Sequence, residues 1–377
     1  MGPLDRHYDV VVIGAGIAGA SIAYFLAERG MSNVLVVERE NQPAYHATGR
    51  SAASLVEIDL NPTVEEIKII GASFLRDPTP GFAAHALLEQ RGVLVLLDAA
   101  RWAHYGERAA ELRARGMRVD LVGAESASAL VDGQLDAKRF HGAAHLTHDG
   151  FVDVHELLGA YMANARRAGV SFVFGREVVP ETAGGRVVEV RIDDVIVQAS
   201  TVVNAAGAWA QEVGRMAGAT TVTLTPKRRC MAVLDVADDL DLRSWPMVWC
   251  DDLRVYFRDD AGRLMLCPMD ELAMEPCDAS WDEYEIAAGI ERLCELAPGL
   301  RPRAVRHRWA GLRTFADDGV PVVGRDPVRP EFFWLAGQGG CGIETSGALG
   351  AIAADLLVHG RTERFDARRI SPDRFVV

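Results

Sequence analysis

Apolar positions along the chain fall into short unbroken runs and longer stretches with helical spacing. Residues 8–13 (YDVVVI) form a continuous valine-rich run, which predicts a strand buried on both faces. Residues 20–29 carry Ile22, Ala23, Leu26 and Ala27 at helical spacing, and Gly30 supplies a stop. Residues 33–37 (NVLVV) read as a second buried strand that ends on Glu38. Two later segments repeat the theme. Residues 201–210 (TVVNAAGAWA) predict a buried strand that ends in small residues, and 332–357 predict a strand, a glycine loop and a long Ala-rich helix.

Between the first strand and its helix lies Gly14-Ala15-Gly16-Ile17-Ala18-Gly19. In such a turn Gly14 permits the tight bend, Gly16 admits a pyrophosphate close to the backbone, and Gly19 lets helix pack on strand. Free N–H groups at the helix start then face the phosphates. Glu38, nineteen positions after Gly19, is placed to accept from ribose hydroxyls, which argues against a 2′-phosphate. This unit predicts a dinucleotide and leaves NAD and FAD both open.

Three segments bear on that choice. YHATGRSAA (45–53) is a dense run of small and hydroxyl residues suited to backbone contact with a cofactor. VNAAGAW (203–209) and GQGGCGI (337–343) end the later strands in glycine-rich turns. With GAGIAGAS (14–21), PKRR (226–229), WPM (245–247) and WAGLR (309–313), these motifs resemble the D-amino-acid-oxidase-like superfamily of FAD oxidoreductases. Within it they are most similar to the bacterial D-arginine dehydrogenases, over nearly the whole chain.

The resemblance implies an α/β protein, with a Rossmann-like FAD-binding domain interleaved with a substrate domain on an antiparallel sheet. The expected FAD-binding segments are 1–85, 140–225 and 305–377; 86–139 and 226–304 would bind substrate. It also implies roles. Gly14, Gly16, Ile17, Ala18, Gly19, Glu38 and Arg39 would hold the ADP half. Arg50, Ser51, Ala52 and Ala53 would run past the pyrophosphate, and Val178 would meet adenine. Gly207 and Trp209 would flank the cofactor, while Gly339, Gly340, Cys341, Gly342 and Ile343 would line the isoalloxazine. A helix N-terminus there would favour the negative charge of a reduced flavin. Thr314, Phe315 and Ala316 stand where relatives with covalent flavin carry cysteine, so non-covalent FAD is expected.

On the substrate side Arg313 aligns with the family's carboxylate-binding arginine, and Arg229 and Tyr256 with two supporting residues. An arginine fork suits a carboxylate because it is planar, always charged and bidentate. Ser54, Asp59 and Glu344 replace a pocket histidine, a lid tyrosine and a glutamine of the D-arginine enzymes, and Val93 replaces the carboxylate that receives the guanidinium. The expected reaction is oxidation of a small amino acid by hydride transfer to the flavin, with a D-amino acid other than D-arginine as the preferred substrate. Met265, where oxygen-using sarcosine oxidases carry lysine, favours a dehydrogenase over an oxidase. A 2-hydroxy-acid dehydrogenase, an N-methyl-amino-acid oxidase and a flavin-bearing subunit of a larger complex are the alternatives.

Composition narrows the partners. At 377 residues and a net charge of −13, the chain suits neither nucleic acid nor an anionic membrane as its main partner. No apolar run of membrane-spanning length occurs, and the opening MGPLDRHYDV lacks a secretory pattern, so a cytoplasmic location is expected. The six cysteines form no C-x-x-C pair and predict neither zinc nor a redox motif. His141, His145 and His148 have helical metal-site spacing, but FHGAAHLTHDG (140–150) reads as a strand entering an Asp-Gly turn. There His148 would face away from the other two, so no metal is expected.

Overall fold

The protein is described from a computed structural model, which covers residues 4–183, 186–237 and 240–376. Its first sheet is built on parallel strands in the order Ser171–Val173, Val34–Val37, His7–Ile13, Val195–Asn204 and Phe332–Ala336, closed by the antiparallel strand Val322–Arg325. A hairpin of Val178–Ala183 and Arg186–Ile192 pairs with the first half of Val195–Asn204. The strand expected at 201–210 therefore begins six residues earlier, where it leaves the hairpin, and ends at Asn204 in a short 3-10 turn at Gly207–Trp209. Helices Ile17–Glu28 and Gly342–His359 cover one face, and both lie where their apolar patterns predicted.

The second sheet runs Ala304–Ala316, Leu224–Asp235, Arg263–Cys267, Val255–Asp260, Met247–Cys250, Val93–Leu97, Gly142–Leu146 and Val119–Gly123. Its pairs are antiparallel except Met247–Cys250 with Val93–Leu97, so the expected antiparallel sheet contains one parallel junction. Two strands cross the expected boundaries. Gly142–Leu146 and Ala304–Ala316 pair in this sheet, although their segments were assigned with the nucleotide-binding strands. The reason is local: Gly142–Leu146 runs on into the strand Gly150–Val152 and Ala304–Ala316 into the first-sheet strand Val322–Arg325, and sequence patterning does not mark the point where a chain changes sheets.

A small third sheet joins Ser54–Leu55, Gly150–Val152 and Leu88–Glu89, fixing the segment after Ala53 beside both larger sheets. His145 lies in a strand with its ring beside Gly92, and His141 packs on Trp102. Among the described residues no cluster of potential metal ligands exists.

Candidate functional site

The glycine turn is shaped by close approach. A Cβ on Gly19 would lie 1.9 Å from the Gly14 carbonyl oxygen, and one on Gly14, whose φ is +104°, would lie 2.6 Å from that of Ala205. Ala15 N–H donates to Glu38 Oε2 at 2.8 Å, and Glu40 N–H to Glu38 Oε1 at 3.0 Å. The first turn of helix Ile17–Glu28 has no side-chain cap and no acid, although Thr48 Oγ1 accepts from Ile17 N–H at 3.1 Å. Its other leading donors are left for a ligand.

From this turn one cleft runs across the molecule. Its first part is walled by Gly14, Gly16, Glu38, Arg39, Val178 and Trp209. The Arg39 guanidinium stacks 4.2 Å from the Trp209 ring, and His46 packs on the same indole. The next part passes Ile17, Ala18, Arg50, Ser51 and Ala52 and reaches Gly339, Gly340, Gly342 and Ile343. Arg50 is committed to protein partners: it bonds the carbonyls of Tyr45 and Ala310 and pairs with Asp278, tying the two sheets together along the cleft. Of the expected cofactor residues, Gly19 lines neither space, since it packs against Gly14, and Ala53 and Cys341 line only the cavity beyond the cleft.

Beyond Gly340 the cleft opens into a cavity of about 500 Å³. Arg313, Tyr256 and Arg229 stand where the two spaces meet. Strand pairing puts Lys227 opposite Arg313 and Arg229 opposite Gly311, so both arginines project from one face. Arg313 Nη2 donates to the Tyr256 hydroxyl at 3.4 Å, and among the described residues no carboxylate lies in ion-pair range of its guanidinium. Arg229 is 6% exposed and pairs through Nη2 with Glu271 at 2.7 Å, while its Nε and Nη1 have no partner. Each buried orphan donor costs about 1–3 kcal/mol, so this wall is built for an anion. Tyr256 stacks on Trp249 at 4.8 Å, and burial pushes its hydroxyl pKa upward.

The far walls mix apolar side chains, Val56, Ile58, Val64, Val95, Leu97 and Met247, with the ion pair of Arg101 and Asp251, which meet at 3.0 Å. Val93 corrects the sequence alignment: it is fully buried one pleat behind Val95 and takes no part in the wall. Ser54 reaches the cavity with its hydroxyl 3.5 Å from the Ala52 carbonyl. Asp59 and Glu344 do line the cavity, but not as free acids. Lys68, which the sequence did not single out, lies 2.8 Å from Asp59 and 3.4 Å from Glu344. Burial works against its charge, but the two carboxylates outweigh it and hold Lys68 protonated. Glu344 also accepts from Val56 N–H at 2.7 Å.

The comparisons with known proteins agree with this geometry. Residues 9–356 match the DAO family model, described as FAD dependent oxidoreductase. The chain is 26% identical over 392 residues to the human mitochondrial sarcosine dehydrogenase, covering 97% of this chain but 42% of that protein. It is 26% identical to glycine oxidase of Bacillus subtilis (strain 168), covering 94% of each. In fold it resembles the crystal structure of L-proline dehydrogenase from P. horikoshii, with a TM-score of 0.87 and 22% identity over 99% of this chain and 98% of that one.

Proposed function

The chain belongs to the FAD-dependent oxidoreductase family, and from that premise we propose that it oxidises a small amino acid with an apolar side chain, preferentially a D-amino acid and not D-arginine. The observation that carries the reading is Arg313, which among the described residues has no carboxylate partner and stands at the junction of the cofactor cleft and a cavity with apolar walls at Val56, Ile58, Val95, Leu97 and Met247. The names of the relatives support an amino-acid substrate, since they act on sarcosine, glycine and proline. The D configuration rests on the sequence resemblance.

The residues present fit FAD. The glycine turn, the uncapped helix start and Glu38 suit the ADP half, and the cleft continues without a break to the second uncapped helix start at Cys341–Gly342. When bound, FAD supplies the hydride acceptor. Arg313 would grip the substrate carboxylate in a two-pronged bond, with Tyr256 and Arg229 beside it, and so fix the orientation of Cα. Val56, Ile58, Val95, Leu97 and Met247 would enclose the side chain and exclude water.

Asp59 and Glu344 are bridged by Lys68, so a substrate guanidinium would compete with that ammonium for them. We read the enzyme as a dehydrogenase holding FAD non-covalently: Met265 is uncharged, and Lys68 is neutralised by its partners. Among the described residues no helix is long and apolar enough to cross a membrane. Anaerobic bleaching of bound flavin across D- and L-amino acids, N-methyl amino acids and 2-hydroxy acids tests the reading. Fastest reduction by an apolar D-amino acid is expected; fastest reduction by D-arginine or by a hydroxy acid would overturn it.

A further inference from the structure

Lys68 sits on helix Pro62–Arg76 with 7% of its surface exposed and bridges two elements that are distant in sequence. Asp59 lies on the loop after the short third-sheet strand, and Glu344 lies in the first turn of helix Gly342–His359. Asp59 also accepts from Asn61 N–H at 2.9 Å, and Glu344 from Val56 N–H, which holds both carboxylates in place. The charge count is uneven: two carboxylates share one ammonium, and all three line the cavity that Arg313 enters.

The two charged groups of the site line one cavity. Gly340 touches the Arg313 guanidinium, so that a Cβ there would lie 2.7 Å from Nη1. The adjoining Cys341 thiol lies in the electrostatic range of Lys68, Glu344, Asp59 and Arg313 together. An α-amino acid carries its nitrogen one carbon from its carboxylate. Arg313 and the Lys68-bridged acids line one cavity, so a substrate held there by its carboxylate carries its ammonium in the same space as the surplus carboxylate.

We propose that the Lys68-bridged pair of Asp59 and Glu344 receives the proton that the substrate ammonium loses before hydride transfer. This inference rests on the amino-acid reading above. An N–H bond of the ammonium breaks and its electron pair stays on nitrogen, while an O–H bond forms on Glu344 and the cluster goes from one net negative charge to none. The nitrogen lone pair then drives hydride from Cα as the C=N bond forms. Burial pushes the Glu344 carboxyl above the usual range against the pull of Lys68, which strengthens it as a proton acceptor. The charged and titratable groups facing the pair are Lys68 from its helix, Arg313 and Cys341 from the cofactor side, Tyr105 and Glu65 (itself paired with Arg108 and Arg115) from behind Asp59, and the ion pair of Arg101 and Asp251 across the cavity.

The test uses FAD-loaded enzyme and anaerobic stopped-flow reduction between about pH 6 and about pH 10. The probe is whichever of D-leucine, D-methionine, glycine, sarcosine and L-proline reduces the flavin fastest. Glu344→Gln and Asp59→Asn each leave Lys68 in a balanced pair with no surplus carboxylate. Both should move the acidic limb of the reduction rate upward by about one pH unit or more, about tenfold in rate at pH 7, and Glu344→Asp should restore it. A merely structural role would lower the rate equally at every pH. Flavin reduction with an unmoved limb overturns the inference and leaves the amino-acid reading standing. No reduction by any of the five overturns both.

Discussion

Arg313 donates to the Tyr256 hydroxyl at 3.4 Å across the mouth of the cavity, a long contact between two groups that both have bonding capacity to spare. Tyr256 is held from behind by Trp249 and Arg313 from the side by Gly340, so neither moves far to meet a carboxylate. Arg313→Lys keeps the charge and loses the fork. We expect kcat/KM for the best amino acid to fall about 100-fold or more, since each charge-assisted bond contributes about 1.5–3 kcal/mol. Tyr256→Phe should cost about tenfold. Anaerobic reduction rates against substrate concentration measure both, and an Arg313→Lys enzyme within threefold of wild type would remove the assigned role.

Gly19 has no place on the cleft surface, yet its substitution should empty the cleft. A Cβ there meets the Gly14 carbonyl oxygen at 1.9 Å, and neither backbone can yield without opening the turn. Gly19→Ala should lower Tm by an overpacking cost of about 1–3 kcal/mol and reduce the flavin-to-protein absorbance ratio of purified enzyme. Gly30→Ala is the control, because its positive φ adds strain while no atom lies within 4 Å of the new methyl. Equal flavin retention in the two variants would refute the close-packing account.

The contrast between Gly19 and Lys68 shows what the sequence could and could not reveal. The nucleotide unit is a contiguous pattern, strand, glycines, helix, strand and acid, so its geometry is written locally and was legible from residues 8–38. The position of Arg313 was legible through the WAGLR motif, and the structure places it at the junction of the two spaces. Lys68 carried no such signal. It follows the apolar Ile67 on an amphipathic helix, and its burial depends on partners from two other elements. The detectable hint was the pair of acids, Asp59 and Glu344, in a cavity that also needed a cation. Val93 failed for a different reason: Val93, Val95 and Leu97 share one face of a strand, and period-two patterning gives the face without the depth.

Cys341 lies beside the flavin segment of the cleft and invites the expectation of a reactive thiol. Burial pushes it up to about 12, against the opposing pull of Lys68, and its Sγ donates to the Gln338 carbonyl at 3.1 Å. At pH 8 only about one molecule in 10⁴ would carry a thiolate. Both Cys341 and Cys277 are partly exposed, yet iodoacetamide should label Cys341 in the folded enzyme at least about tenfold more slowly than Cys277. FAD should also pass wholly into the supernatant on acid precipitation. Rapid labelling of Cys341, or flavin that remains with its peptide, would contradict this.

Asp149 gives the clearest pH dependence of stability. It is 1% exposed, accepts from Glu57 N–H at 2.8 Å and shares the Arg76 guanidinium with Glu57. Burial first, and then the negative charge of Glu57, raise its carboxyl well above the usual range and outweigh the attraction of Arg76. The folded state thus holds the Asp149 proton more tightly than the unfolded chain does. Its contribution to stability is complete below the unfolded carboxylate range of about pH 4 and is lost as pH rises through the elevated folded value. Asp149→Asn keeps an uncharged acceptor at every pH. The variant should therefore gain on wild type progressively as pH rises above the unfolded carboxylate range of about pH 4, read as a Tm difference that grows with pH. Thermal unfolding of FAD-loaded enzyme at pH values above that range measures the difference. If the gap between variant and wild type stays constant, or widens against the variant as pH rises, Asp149 is a charged partner of Arg76 and its carboxyl is not raised.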